Sequence, residues 1–181
     1  SYEQDRGYVG AAAYPKFVGG LSFSGDWKGI DLSFLFQAGL GRDVALTGVY
    51  SGGIMDNTQM TKPFYHGGNS PKYLVENSWR EDNTNAEFPR LSIVQASSNN
   101  AYSSTFWYRS GDYLRLKNLQ IGYTFPQKWM SRIGIDRLRI YFEGQNLWTV
   151  SELTKFNIDP EQPGVSNGYY PQQRIFSFGV N

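Results

Sequence analysis

GDYLRLKNLQIGYTFPQKWMSRIGIDRLRIYFEGQNLW, residues 111–148, decides the fold. Within it Leu119, Ile121, Tyr123 and Phe125 alternate with Gln120, Gly122 and Thr124; after a short break Leu138, Ile140 and Phe142 alternate with Arg139, Tyr141 and Glu143. Period two puts successive side chains on opposite faces, so these are strands with one apolar face. The chain ends on the same design, Phe176, Phe178 and Val180 alternating with Ser177 and Gly179. The second face carries Arg, Glu, Gln, Thr, Ser and Gly, which a dry sandwich core would not accept. Such strands fit a soluble sheet with one solvated face or a transmembrane barrel with lipid outside and a wet lumen. Tyr113, Tyr123, Phe125 and Trp129 are expected to cluster near one strand end, as an interfacial aromatic girdle does.

Upstream, Phe17, Gly19, Leu21 and Phe23 alternate with Val18, Gly20, Ser22 and Ser24. Gly25 to Gly29 reads as a compact hairpin turn. Beyond it Ile30, Leu32, Phe34 and Phe36 alternate with Asp31, Ser33, Leu35 and Gln37, again with polar groups on the second face. Five strands are predicted, at about 17–24, 30–40, 112–125, 137–146 and 173–181. Leu114 and Leu116 are out of phase with Leu119, which predicts either a bulge near Lys117-Asn118 or an upper part of the strand that projects beyond the membrane. Pro126 to Gly134 reads as a helical turn or two.

Two long aperiodic loops remain, about 41–111 and 145–173. The first far exceeds the roughly 12–15 residues at which structureless loops become uncommon in compact soluble domains. A barrel accommodates both, because it pairs short turns on one side with long loops on the other.

Composition supports strands over membrane helices. Hydrophobic residues make up 40% of the 181, mean hydropathy is −0.49 and aromatics reach 17%. No stretch approaches the roughly 20 apolar residues of a membrane helix. Seventeen basic against sixteen acidic residues, without a basic run, exclude a nucleic-acid stripe. The absence of Cys removes disulfides, thiolate chemistry and Cys-based zinc sites. The single histidine, His66, lies in the turn-like PFYHGGN and reads as solvated. The opening SYEQDRGYVG has neither Met nor an apolar leader, so the chain is expected to be cytosolic or to begin within something longer.

Five blocks in order carry a resemblance: DRGYVGAAAYPKFVGGLSFSGDWKGIDLSFLFQ, LVENSWREDNTNAEFPRLS, GDYLRLKNLQIGYTFP, QNLWTVSELTKFNIDPE and YYPQQRIFSFGVN. Together they cover more than half the chain, which resembles the C-terminal region of SusC/RagA-type TonB-dependent transporters of Bacteroidota. The resemblance implies an all-β fold: the last five or so strands, roughly a fifth of the length, of an antiparallel transmembrane barrel of about 22 strands. It also implies an outer-membrane location with the long loops extracellular, a SusD-like lipoprotein lid, and uptake of oligosaccharides or peptides driven through TonB. The family's plug, TonB box and signal peptide are not in this sequence, and both ends look clipped. Other strands are expected to close the barrel, since unpaired edges cannot lie in lipid.

No catalytic constellation is present: there is no GxSxG, P-loop or HExxH. No enzyme activity, cofactor or metal is expected. Asp159 and Glu161 in NIDPE read as a structural turn, and Glu81, Asp82 and Glu87 as loop charges, with Asn83 and Asn85 making local turn hydrogen bonds. The candidates for contact with cargo or lid are the loop aromatics Trp79, Trp107, Tyr108, Trp148, Tyr169 and Tyr170. The alternatives are a secreted carbohydrate-binding β-sandwich and a barrel homologue serving only as a surface scaffold.

Overall fold

The computed structural model describes residues 7, 14–46, 71–91, 104–162 and 172–181. The chain divides into two units. One comprises Pro15–Leu40, Asp112–Ser151 and Pro171–Asn181; the other comprises Ser1–Tyr14, Gly41–Gly111 and Glu152–Tyr170. The described strands are β1 (Phe17–Trp27), β2 (Ile30–Leu40), β3 (Asp43–Ala45), β4 (Tyr108–Ser110), β5 (Tyr113–Thr124), β6 (Arg139–Ser151) and β7 (Ile175–Val180). Two short helices accompany them, α1 (Lys72–Glu76) and α2 (Gln127–Met130). The fold is mostly antiparallel β-sheet.

The first unit is a five-stranded meander in the order β1-β2-β5-β6-β7, every pairing antiparallel. Its first turn is tighter than Gly25 to Gly29. Gly25 and Asp26 still pair with Leu32 and Asp31, so β1 runs to Trp27. Only Lys28 and Gly29 turn, with φ of 49° and 89°. Positive φ at both central residues gives a two-residue hairpin whose twist suits the strands.

In β5 the bulge falls at Lys117, which both ladders skip: Leu116 pairs with Phe36 and Trp148, and Asn118 with Leu35 and Gln145. The extra residue brings Leu114 and Leu116 onto the face of Leu119, Ile121 and Tyr123. Across from it β6 skips Asn146 and Leu147, with Asn146 at φ 52°. Trp148 and Val150 thereby rejoin the apolar face, and β6 continues to Ser151 where the sequence pattern ended near residue 146. Of the expected aromatic cluster, Tyr123 and Phe125 do meet, edge to face at 5.0 Å, but Tyr113 does not join them. Tyr113 lies at the opposite end of β5 from Tyr123, on the polar face, where its hydroxyl accepts a hydrogen bond from Gln37 Nε2 at 3.1 Å.

Register gives the sheet two unlike faces. One carries Leu21, Phe23, Ile30, Phe34, Ile121, Phe142 and Phe178 and is bare, with Leu21 64% and Phe178 81% exposed. The other is hydrogen-bonded. Arg139 donates from Nε to Asp31 Oδ1 at 2.9 Å and from Nη2 to Oδ2 at 2.5 Å. This bridge from β6 to β2 passes over Gly122 of β5, where an added Cβ would lie 2.5 Å from both partners. Arg115 Nε likewise donates to Thr149 Oγ1 at 2.9 Å.

The second unit holds the hydrophobic cluster: Val44, Leu46, Leu74, Phe88, Trp107, Leu153 and Phe156 are all buried. Its parts are the β3–β4 ladder, α1, and 3-10 turns at Thr105–Trp107 and Glu152–Phe156. The stretches read as aperiodic loops therefore contain short elements around a core. They showed no period because each element contributes only one or two apolar residues.

Candidate functional site

The site is built on α1 and the turn after it. Pro71 sets the start of α1, leaving Leu74 in the core, and Asn77 ends the helix with its backbone N–H on Tyr73 O. Asn77 Nδ2 also donates to Tyr73 O at 2.9 Å, and the Ser78 hydroxyl donates to Leu74 O. Arg80 and Asn83 then exchange backbone hydrogen bonds, and Asn83 Nδ2 reaches back to Glu76 O at 3.2 Å. This turn brings Trp79 N–H within 2.9 Å of Phe88 O. Phe88 is fully buried, edge-on to Tyr73 and Phe156 and stacked on Trp107.

Beside Phe88 opens a cleft of about 500 Å³, walled by Trp79, Pro89, Phe106 and Trp107 with Glu87 and Arg90 at its polar margin. Phe106 and Trp107 meet edge to face at 4.7 Å. Such walls pack against flat or apolar groups, and Arg90 offers an exposed cation.

Glu87, read from sequence as a loop charge, is instead the centre of an ion network. It accepts from the Tyr73 hydroxyl at 2.7 Å, from Lys155 Nζ at 3.1 and 3.4 Å, and from Arg109 Nη2 at 3.3 Å. Arg109 and Lys155 also face Glu152 at 3.7 and 3.9 Å, and Glu152 accepts the Ser110 N–H at 3.0 Å. Burial pushes the Glu87 carboxyl up, but the Tyr73 hydroxyl and the Lys155 and Arg109 cations outweigh it and hold the group below its ordinary value. The same hydrogen bond, with burial and the Glu87 charge, raises the Tyr73 phenol.

Of the aromatics singled out from sequence, the cleft unites two. Trp79 is 38% exposed on its wall; Trp107, 2% exposed, belongs to both wall and core. Tyr108 pairs with Ala45 in the β3–β4 ladder, away from the cleft wall. Trp148 lies on the bare face of the sheet, opposite Leu116. Tyr169, Tyr170 and His66 lie outside the described residues. Sequence reasoning passed over Phe106, Arg90 and the Tyr73, Arg109 and Lys155 partners of Glu87. The one available signal was that LVENSWREDNTNAEFPR forms a recognisable block.

Asp159 closes a turn, its Oδ1 accepting Glu161 N–H at 2.9 Å and its carbonyl accepting Gln162 N–H at 3.1 Å. Among the described residues no group of three or more His, Asp or Glu is placed to hold a metal ion.

The chain as a whole is similar to known proteins. Three TonB-dependent receptors of Formosa agariphila are 28%, 25% and 26% identical to the chain over 190, 193 and 174 residues. This is homology at low identity. The alignments cover 98%, 98% and 91% of the chain but only 17%, 18% and 16% of the receptors, so the chain spans about a sixth of the length of the curated relatives it matches. Solved structures agree. The RagAB peptide importer in its closed-closed state matches 95% of the chain with a TM-score of 0.64 and 27% identity, and in its open-open state with 0.58 and 25%. The RagAB peptide transporter shares the fold at 24% identity and a TM-score of 0.62. These matches cover 17% to 18% of the solved chains. No family model matches the chain. The relatives are named receptors, transporters and importers.

Proposed function

We propose that the chain is the C-terminal wall segment of an outer-membrane β-barrel that imports peptides or oligosaccharides. The observation that carries this reading is the sheet's inverted design. Its apolar face is bare while its polar face holds a bidentate ion pair, and the hydrophobic cluster lies wholly in the other unit. Lipid outside and a wet lumen inside satisfy both faces. Strands from elsewhere in the protein pair with the open edges of β1 and β7 and close the barrel, since an unpaired edge is costly in hydrocarbon. The unit formed by the long connections is extracellular, and its Trp79–Phe106 cleft meets the cargo or a SusD-like lipoprotein lid. Energy comes through TonB, acting on a part of the protein outside this segment. The likeness to TonB-dependent receptors and to the RagAB importer supports a transport role in an outer-membrane setting.

The test is the intact mass of the protein purified from its native membrane, extracted with and without detergent. A detergent-dependent species several times heavier than 20.6 kDa is expected. A water-soluble monomer of 20.6 kDa overturns the reading and leaves the carbohydrate-binding sandwich in its place.

A further inference from the structure

The short-turn end of the sheet combines three features. Register places Trp27, Ile30, Tyr123, Ile140 and Val180 in one row across the end of the apolar face. At that row an apolar groove of about 750 Å³ runs among Ile30, Ile121, Ile140, Phe142 and Phe178. Tyr123 and Ile140 flank the β5–β6 turn, residues 126–137, which holds Lys128, Arg132 and Arg137 against the single acid Asp136, all four exposed. Among the described residues neither Lys128 nor Arg132 has an ion-pair partner. The same turn exposes Trp129, Ile133 and Ile135, and at the neighbouring hairpin the Lys28 ammonium sits 4.5 Å over the Trp27 ring.

An apolar groove at the same end of the sheet as a turn whose Lys128 and Arg132 have no ion-pair partner among the described residues has the chemistry of a phosphate-bearing amphiphile. We infer that this end of the sheet is a glycerophospholipid site. The groove takes an acyl chain, Lys128 and Arg132 take the phosphate, and Trp129 and Ile133 insert at the headgroup boundary, where amphipathic aromatics are favoured. The inference rests on the membrane-barrel reading. That reading also supplies the occupant, because the groove is continuous with a face already assigned to lipid and the turn has an excess of positive charge.

The experiment uses the whole protein, purified from its membrane in mild detergent and stripped of lipid. Phosphatidylglycerol and diacylglycerol with the same acyl chains are titrated in, and adducts are read by native mass spectrometry. Wild type is expected to bind phosphatidylglycerol more tightly than diacylglycerol. The double variant Lys128→Gln, Arg132→Gln is expected to lose about 25-fold in phosphatidylglycerol affinity, about fivefold for each cation, with diacylglycerol unchanged. Ile121→Trp, which fills the groove, lowers both. Folding of each variant is checked by the heat-dependent shift in its electrophoretic migration. Phosphatidylglycerol affinity within about twofold of wild type in the folded double variant overturns the site, as does equal binding of diacylglycerol by wild type. Solubility without detergent overturns the barrel reading itself, so the two failures are distinct.

Discussion

Replacing Glu87 by Gln removes one charge from the point where three distant segments meet. The carboxylate accepts from Tyr73, Arg109 and Lys155 at 2.7 to 3.4 Å. The variant keeps one carbonyl acceptor, but its NH₂ turns a donor toward cations that can only donate. Hydrogen bonds to charged groups are worth about 1.5–3 kcal/mol each in sheltered sites, and solvent screening reduces that here because Glu87 and Lys155 are partly exposed. Arg109, only 12% exposed, keeps Glu152 at 3.7 Å as a weaker substitute. The net loss is about 2 kcal/mol, which amounts to roughly 30-fold in the opening equilibrium of this unit. Hydrogen exchange on the whole protein reads it directly. The amides of Trp79 and Phe88, bonded to Phe88 O and Asn77 O, are expected to lose about that factor in protection, while amides of β2, β5 and β6 do not change. Unchanged protection at Trp79 and Phe88, or an equal loss in the sheet, would refute the assignment of Glu87 as the pin of this unit.

The same network sets a pH window. With its carboxyl held below the ordinary 4.5, Glu87 contributes stability that is complete above that pH and is lost as pH falls through the lower folded value. With its phenol raised above 10.0, Tyr73 contributes stability that is complete below that pH and is lost as pH rises through the folded value. Exchange of the Trp79 and Phe88 amides, corrected for intrinsic rates, is expected to show the acid step in wild type and not in Glu87→Gln. Gly29→Ala puts a Cβ 2.6 Å from Thr124 O at a φ of 89° and strains the Thr124 N–H to Gly29 O bond of 2.7 Å. The cost is about 2 kcal/mol, seen as a lower temperature for the heat-dependent electrophoretic shift of the folded protein; an unchanged temperature contradicts it. Phe34→Lys, mid-strand on the bare face, is expected to destabilise the protein in lipid vesicles by about 2–4 kcal/mol, whereas Ser33→Lys on the other face costs less than about 1 kcal/mol. Equal costs in denaturant titration would remove the lipid-facing assignment. Phe88→Ala empties the centre of the hydrophobic cluster and costs about 3–5 kcal/mol, expressed as lost protection in its own unit with the sheet intact.

The sheet was legible because its signal is local. Ile30, Leu32, Phe34 and Phe36, or Leu119, Ile121 and Tyr123, declare a face within a few residues, and the phase break at Leu116 pointed to an irregularity near Lys117-Asn118, which the ladders put at Lys117. Local preference misled where a ladder overrode it. Gly25-Asp26 has turn chemistry yet stays paired in β1, and the skipped Asn146 and Leu147 hid the last third of β6. Of the candidate site, the sequence singled out Trp79 and Trp107 but not their setting.

What sequence alone determined is therefore the strands and their two unlike faces, both of which follow from residue type and period two. What only the tertiary structure decided is which distant residues meet. Asp31 and Arg139 are 108 positions apart, Glu87 and Lys155 are 68, and Glu87 and Arg109 are 22. A charge's role depends on its partner. No local pattern encodes that pairing, because it is set by strand register in the one unit and by packing around Phe88 in the other.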